Sequence, residues 1–210
     1  MYIPSYNRED DPEVLLKFMQ RYSFATLVSG AEAGLIASHL PVVVTEAEGA
    51  VTITGHFARA NPHADALAGE MLVIFTGPHA YVSPAHYDKR ESVPTWNYVA
   101  VHAYGAPQPL TFAEHPERMR ALMLELIEQH EPSYAAQWNS LSEKYRHGMM
   151  RGIVGFELPV TRLEGKAKLS QNRLSADQRA VARALGAHPE QAARETANLM
   201  KKKLSAEGSR

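Results

Sequence analysis

Two segments of the sequence combine cationic, imidazole and amide side chains in a way that suits a bound phosphate. Lys166 to Arg173 reads Lys-Ala-Lys-Leu-Ser-Gln-Asn-Arg and follows an apolar, strand-like stretch. Gly55 to His63 reads Gly-His-Phe-Ala-Arg-Ala-Asn-Pro-His and also follows a strand-like run. A phosphate ester carries close to two negative charges, so charge-assisted donors and helix amino ends hold it best. The two segments together predict one shared anionic ligand.

The elements that position these segments are predicted from the spacing of apolar residues. A short helix is expected to begin at Asp11-Pro12, and Asn61-Pro62 predicts the cap and first residue of a short helix over 63–67. Strands are predicted at 24–28, 35–44, 51–54, 71–75, 95–105 and 150–163. Further helices are predicted from Pro116, around 141–146, and over 175–185 and 189–203. A polar loop is predicted over 77–94 and a disordered tail over 205–210.

About six short strands with helices inserted between them favour an α+β, mainly β fold with a closed antiparallel barrel. A doubly wound dinucleotide fold is disfavoured because the sequence lacks a Gly-x-Gly-x-x-Gly turn. With 210 residues the chain is long enough for one core plus a C-terminal appendage. We therefore expect a barrel domain over 1–173 and a helical extension over 174–210.

Composition limits the binding partners and the cellular compartment that we expect for this protein. The formal net charge is −1, so the whole molecule offers no electrostatic attraction to nucleic acid or to an anionic membrane. The absence of cysteine excludes disulfides, thiolate metal sites and cysteine nucleophiles. Apolar runs such as Met71 to Phe75 are far shorter than the ~20 residues that cross a bilayer. With no secretory signal pattern at the start, we expect a cytoplasmic protein without a membrane span.

Four motifs occur in an order that resembles the PaiB-type FMN-binding proteins, often called negative transcriptional regulators of protease production and sporulation. The motifs are Ala37 to Pro41, Gly55 to His63, Val93 to Tyr98 and Lys166 to Arg173. The resemblance spans nearly the whole chain. It implies the split β-barrel shared with pyridoxamine phosphate oxidases and small flavin reductases. It also implies a homodimer with FMN bound between the subunits.

The resemblance assigns these residues to two ends of one cofactor. Donors in the 55–63 segment face the phosphate, and the lysine-rich segment completes the phosphate cage from the partner subunit. Ser38, His39 and the backbone of Leu40 are expected at the polar edge of the isoalloxazine ring, with Trp96 and Asn97 in the same pocket. The predicted FMN site is Ser38, His39, Leu40, Gly55, His56, Arg59, Asn61, His63, Trp96, Asn97, Lys166, Lys168, Ser170 and Gln171.

Simpler interpretations remain open for several of these residues. The lysine-rich segment also fits a solvated basic loop, Arg59 and His63 also fit ordinary surface positions, and Trp96 also fits a core position. The ten histidines are scattered, with neither His-Glu-x-x-His nor His-x-His, so no metal site is predicted. Haem stays a remote alternative because some split-barrel relatives bind it.

Two functions follow from the resemblance. The first is an FMN-binding regulator; direct DNA contact is left open because the C-terminal helices are basic, although no helix-turn-helix pattern is present. The second is an FMN-dependent oxidoreductase, a flavin reductase or oxidase, acting on an unknown small molecule. Substrate contacts would then be sought in the 79–94 loop, at His79, Tyr81, His86, Tyr87 and Lys89. A third interpretation keeps the barrel but holds FMN only weakly.

Overall fold

Local capping signals begin two of the elements as the sequence predicts. In the computed structural model, the Asp11 carboxylate accepts hydrogen bonds from the backbone N–H groups of Glu13 and Val14, at 3.0 and 3.3 Å. The Asn61 side chain accepts from the backbone N–H of His63 at 3.0 Å, with Pro62 as the first helical residue. Each cap satisfies donors that the first helical turn leaves without an intrahelical partner.

The structure describes residues 1–32 and 34–207. The strands are β1 Arg8–Glu9, β2 Phe24–Ala31, β3 Gly34–Pro41, β4 Val43–Ala47, β5 Ala50–Ala58, β6 Met71–Val82, β7 Thr95–Gly105, β8 Gln108–Leu110, β9 Ile153–Pro159 and β10 Arg162–Lys168. The helices are α1 Pro12–Arg21, α2 Pro116–His130, α3 Tyr134–Ser140, α4 Glu143–Arg151, α5 Ser175–Gly186 and α6 Gln191–Glu207. Short 3-10 helices lie at Ser5–Asn7, Pro62–Asp65 and Pro84–His86.

The first of two compact units comprises Met1–Leu15, Thr76–Val101 and the described part of Glu164–Arg210. Its strands follow the order β1-β10-β7-β6, and β1 pairs antiparallel with β10. Helices α5 and α6 pack on the buried side chains of these strands. The core of this unit includes Ala80, Val82, Ala167, Leu169, Val181, Leu185, Ala197 and Met200.

The second unit comprises Leu16–Phe75 and His102–Leu163. The Met71–Phe75 part of β6 pairs with β2, and β2 pairs with β3, which is the edge strand. A second sheet has the order β4-β5-β9-β8, with antiparallel pairs throughout. Its buried residues include Ile53, Phe57, Phe156 and Leu158, and a smaller cluster joins Leu110, Phe112, Met119 and Met150.

The structure corrects three expectations. Strand β6 continues to Val82 instead of entering a loop at Gly77, because exposed His79 and Tyr81 alternate with buried Ala80 and Val82 through the Gly-Pro step. The described residues form ten strands instead of six, because the predicted strands 35–44 and 150–163 each divide in two and the short strands β1 and β8 were not predicted. Of the predicted disordered tail, residues up to Glu207 belong to α6, and 208–210 lie outside the described residues. The division at residue 173 stays a prediction.

Candidate functional site

In the second unit, three predicted residues meet around one hydroxyl group. The Ser38 Oγ lies 3.2 Å from the Asn61 Nδ2, which donates to it, and 3.0 Å from the His63 Nδ1. Strand β3 supplies the serine, and the 3-10 helix after β5 supplies the other two. The caps and strand ends therefore bring together side chains that are 23 and 25 residues apart in sequence.

His63 is completely buried, and its ring lies 4.8 Å from that of Phe57. Its Nε2 is buried without a hydrogen-bond partner among the described residues. Desolvation by burial lowers the pKa of His63, so the neutral imidazole is favoured. The ring holds Ser38 in place and adds no fixed charge.

Arg59 is exposed at the end of β5. Its Nε donates to the backbone carbonyl of Arg151 at 2.8 Å, and its Nη2 donates to that of Ile153 at 3.2 Å. A guanidinium group has five N–H donors, so three are left for a ligand in the part of the chain that the structure describes.

The other predicted residues of this unit serve different contacts. Gly55 lies against the Phe156 ring, where an added Cβ would come within 2.9 Å of that ring. His56 has a buried Nδ1 without a partner among the described residues, and desolvation lowers its pKa. His39 contacts the Thr26 hydroxyl at 3.0 Å, and Leu40 pairs with Ala25 across the sheet. Because neighbouring strand residues face opposite sides, His39 and Ser38 do not share a face.

In the first unit, two lysines of β10 lie on one face of their strand. Lys166 is 7% exposed; its Nζ donates to the Tyr2 carbonyl at 2.9 Å and lies 5.1 Å from the centre of the Tyr98 ring. The Lys168 Nζ donates to the Thr95 hydroxyl and, at 2.7 Å, to the Trp96 carbonyl. Desolvation, and then the charge of Lys166, lower the pKa of Lys168. Within the described residues neither ammonium group is paired with a carboxylate.

A buried amide network fixes the backbone that follows Lys168. The Nδ2 of Asn97, a fully buried residue, donates to the Ser170 Oγ at 2.9 Å and contacts the Met200 Sδ at 3.5 Å. Ser170 has a φ of 70°, in the left-handed region that costs a non-glycine residue about 1 kcal/mol or more. Gln171 folds back on the same turn: its Oε1 accepts from the Leu169 N–H and its Nε2 donates to the Ala167 carbonyl. These residues hold the lysine segment in shape.

Trp96 borders a cavity of about 510 Å³ in the first unit. Its ring centre lies 6.0 Å from those of His79 and Tyr81, and the side chain is 52% exposed. His86 and His188 also line this cavity, whose apolar wall includes Leu185. A flat ring with polar edges fits such a lining.

Several contributors were missed from the sequence. Tyr2 and Tyr98 surround the Lys166 ammonium group, and Thr95 binds Lys168. Thr95 and Tyr98 belong to the recognised 93–98 motif, but they are three residues apart, so strand alternation would not have placed both beside the lysines. Tyr2 lies 164 residues from Lys166, and no local pattern connects the two.

Comparison with known proteins identifies the class. The profile of a family described as "Putative FMN-binding domain" matches residues 1–162. The chain is 39% identical over 206 residues to "Protease synthase and sporulation protein PAI 2" of Bacillus subtilis, covering 97% of this chain and 98% of that protein. It is 29% identical over 222 residues to an uncharacterized Emericella nidulans protein, covering 86% of this chain and 88% of the relative.

Two solved structures are similar in fold. The FAD and heme binding protein of Mycobacterium smegmatis superposes with a TM-score of 0.58 at 14% identity, covering 83% of this chain and 79% of that chain. The flavocytochrome Anf3 of Azotobacter vinelandii gives 0.57 at 14% identity, covering 79% and 72%. The fold is therefore α+β, of the split β-barrel type found among flavoproteins.

The chain belongs to this FMN-binding family and is PaiB-like, and FMN is the cofactor of that class. The residues present fit the group. Lys166 and Lys168 offer positive charge that no carboxylate neutralises in the described residues, as a phosphate requires. The aromatic and imidazole lining beside Trp96 suits a flat heterocycle.

The described residues also bear on metal binding and on membrane crossing. Among 1–32 and 34–207, no group of three or more His, Cys, Asp or Glu side chains is placed to hold a metal ion. Over the same ranges, no helix combines the length and the apolar character that crossing a membrane demands.

Proposed function

We propose that this protein is an FMN-binding homodimer that acts as a negative transcriptional regulator of the PaiB type, in the cytoplasm. The observation that carries the FMN proposal is the pair of β10 lysines without a carboxylate partner in the described residues. Desolvation already lowers the pKa of Lys168, and Lys166 lowers it further. A bound dianion would offset both effects, because an opposite charge favours the protonated amine.

The remaining predicted residues divide into ligands and supports. Lys166 and Lys168 of the first unit are proposed to bind the phosphate, because they retain cationic donors, and Trp96 of the same unit is proposed beside the isoalloxazine ring. Arg59 and Ser38 of the second unit stay predictions from the family motif. The supports, which hold these groups in position, are Gly55, Asn61, His63, Asn97, Ser170 and Gln171; His39, Leu40 and His56 stay predictions from the family motif.

Comparing FMN with riboflavin tests the phosphate contact. Lys168→Met should weaken FMN binding about 10- to 100-fold, since a hydrogen bond to a charged group contributes about 1.5–3 kcal/mol. Riboflavin binding should change less than about twofold, because riboflavin lacks the phosphate. Fluorescence titration of both flavins gives the two dissociation constants.

Lys202→Met is the matched control, because Lys202 is an exposed lysine of α6. It should leave both constants unchanged. Equal losses of FMN and riboflavin in Lys168→Met would show that this lysine does not contact the phosphate. Arg59→Ala, measured in the same way, tests whether Arg59 of the second unit contacts the phosphate.

The homodimer proposal is supported by apolar side chains on the outer part of the second unit. Leu35 is 84% exposed on the edge strand β3, and Phe24 is 70% exposed on β2. Large exposed apolar groups beside an unpaired strand edge are typical of protein contacts. Sedimentation should give twice the monomer mass, and Leu35→Glu should give monomers that bind FMN less tightly. A monomeric wild-type protein would contradict this part of the proposal.

The basic residues of α5 and α6 are the surface that we propose for DNA. Lys201 and Lys202 are exposed, whereas the Lys203 Nζ lies 3.1 Å from a Glu9 carboxylate oxygen. Mobility shift across a salt series should give a steep loss of affinity with rising salt, because phosphate neutralisation releases counterions. Lys201→Gln with Lys202→Gln should reduce that slope by about two. If these substitutions leave the salt dependence of DNA affinity unchanged, α6 is excluded as the DNA contact.

The second candidate function is an FMN-dependent oxidoreductase, favoured by the cavity beside Trp96. Three residues of the 79–94 segment proposed for substrate contacts line it, namely His79 and Tyr81 of β6 and His86. FMN, when bound, can accept a hydride from a nicotinamide and pass electrons to a second substrate. The protein would then contribute the lining that orients the substrate and restricts water.

Anaerobic mixing with NADH or NADPH separates the two functions. In a stopped-flow instrument, an oxidoreductase that uses these donors should lose its visible flavin absorbance between the dead time of mixing and a few seconds. Trp96→Leu should slow that loss. A flavin that stays oxidised over minutes would count against the oxidoreductase and leave the regulator standing.

A further inference from the structure

A second cavity, of about 320 Å³, lies among α2, α3 and α4 within the second unit. None of its lining residues belongs to the predicted FMN site. The polar lining side chains are Arg120, Asn139, Glu143, Arg146 and His147, and the apolar ones are Leu124, Trp138 and Met150. Its chemistry is therefore independent of the proposed flavin function.

Arg146 is the group that points to a ligand. Its Nε is buried without a hydrogen-bond partner in the part of the chain that the structure describes. Leaving a buried donor unpaired costs about 1–3 kcal/mol, and more when the group is charged. Arg146 also lines the cavity, so an acceptor bound there is offered the remaining N–H donors of the same guanidinium group.

Arg120 is held at the cavity by its neighbours. Its Nη2 donates to the His147 Nε2 at 2.9 Å, and its guanidinium carbon lies 5.7 Å from the centre of the Phe112 ring. The same His147 Nε2 lies 3.3 Å from a Glu143 carboxylate oxygen. His147 and Glu143 therefore both hold Arg120 at the cavity.

The charges of the lining select a monoanion. Arg120 is paired with the Glu117 carboxylate and lies 3.9 Å from that of Glu143. Arg146 has no carboxylate partner among the described residues, so its positive charge is the one that the lining leaves unbalanced. One bound negative charge would balance the lining.

The apolar wall selects a flat group attached to that anion. Trp138 is half-buried, Leu124 is 43% exposed, and Met150 is 1% exposed. We propose that this cavity binds an aromatic carboxylate, whose planar carboxylate matches the donor geometry of Arg146 and whose ring contacts Trp138 and Leu124. This is a second ligand site, separate from the proposed FMN contacts.

Benzoate is the probe, and Trp138 is the reporter. The chain has two tryptophans, so a full-length Trp96→Phe protein leaves Trp138 as its single indole. Benzoate should change its fluorescence saturably, and Arg146→Gln should raise the half-saturating concentration at least about tenfold, as expected for one lost charge-assisted contact. Benzamide, which has the same shape without the charge, should bind at least about tenfold more weakly.

Lys144→Gln is the matched control, because it removes one positive charge from an exposed position of the same helix. It should leave the benzoate titration unchanged. If Arg146→Gln melts at a lower temperature, Arg146→Lys keeps the charge without the planar fork and should give an intermediate loss. The proposal is overturned if Arg146→Gln behaves like Lys144→Gln, if benzamide binds as well as benzoate, or if Trp138 gives no saturable response.

Discussion

The two units differ in the partners and the charge of their buried polar side chains. In the second unit, Ser38, Asn61 and His63 form hydrogen bonds to one another, while the His63 Nε2 has no partner among the described residues, and desolvation favours the neutral imidazole. In the first unit, Lys166 and Lys168 place two ammonium groups on one strand face, and their partners within the described residues are carbonyl, hydroxyl and ring groups. A neutral cluster positions groups, whereas a cluster with uncompensated charge is suited to binding an anion. This difference is the reason that we propose the lysines as the main phosphate contact.

The largest effect is expected where the first unit fixes its lysine segment. Asn97→Leu removes the donor to the Ser170 hydroxyl and leaves that buried group unpaired in a left-handed turn. The free energy of unfolding should fall by about 2–3 kcal/mol, the usual result for a broken buried hydrogen bond. Denaturant titration measures it. A loss below about 0.5 kcal/mol would mean that the segment is held by other contacts.

Acid should affect the neutral cluster of the second unit. The pKa of His63 and that of His56 are lowered in the folded protein, so the unfolded chain binds protons first as pH falls below 6.5. Their contribution to stability is therefore complete above pH 6.5 and is lost as pH falls toward the folded pKa values, by at most about 1.4 kcal/mol per pH unit for each group. Unfolding measured between pH 7 and about pH 5 gives the slope.

His63→Asn separates the contribution of this histidine. The substitution removes a titrating group, so the stability curve should be lower at neutral pH and flatter in acid. An unchanged slope would assign the acid sensitivity to other residues.

The smallest effect is expected at the cap of the second unit. Asn61→Ala removes the side chain that accepts from the His63 N–H and donates to Ser38. Loss of a cap costs about 1 kcal/mol. Thermal unfolding should show this modest decrease, smaller than that of Asn97→Leu. A larger decrease for Asn61→Ala would reverse the ranking of the two asparagines.

Local signals in the sequence predicted most elements. The Asp11 and Asn61 caps, the apolar repeat of α2 and strand β7 were found at or near their observed bounds. The 77–82 stretch was misread because Gly77-Pro78 resembles a turn, whereas its side chains alternate in burial as a strand requires. The Gly-Pro dipeptide was given more weight than the two-residue alternation of the side chains around it, and that caused the wrong prediction.

The candidate site was predictable as a set of segments and much less so as contacts. Four ordered motifs identified the family, because each keeps several chemical groups at fixed spacing. The partners of those groups were not visible: Asn97 meets Ser170 across 73 residues, and Lys166 meets the carbonyl of Tyr2 across 164. The cavity lined by Arg120 and Arg146 gave no sequence signal, because its residues have ordinary helical spacing.

The sequence by itself determined where helices begin, which strand faces are apolar, and which segments we propose for the flavin phosphate, since all of these depend on neighbours within a few residues. Tertiary structure alone decided which polar side chains are buried, which satisfy one another, and which retain charge. Those properties depend on strand register and on packing between distant segments, and they set the desolvation that lowers the pKa of His63 and of Lys168.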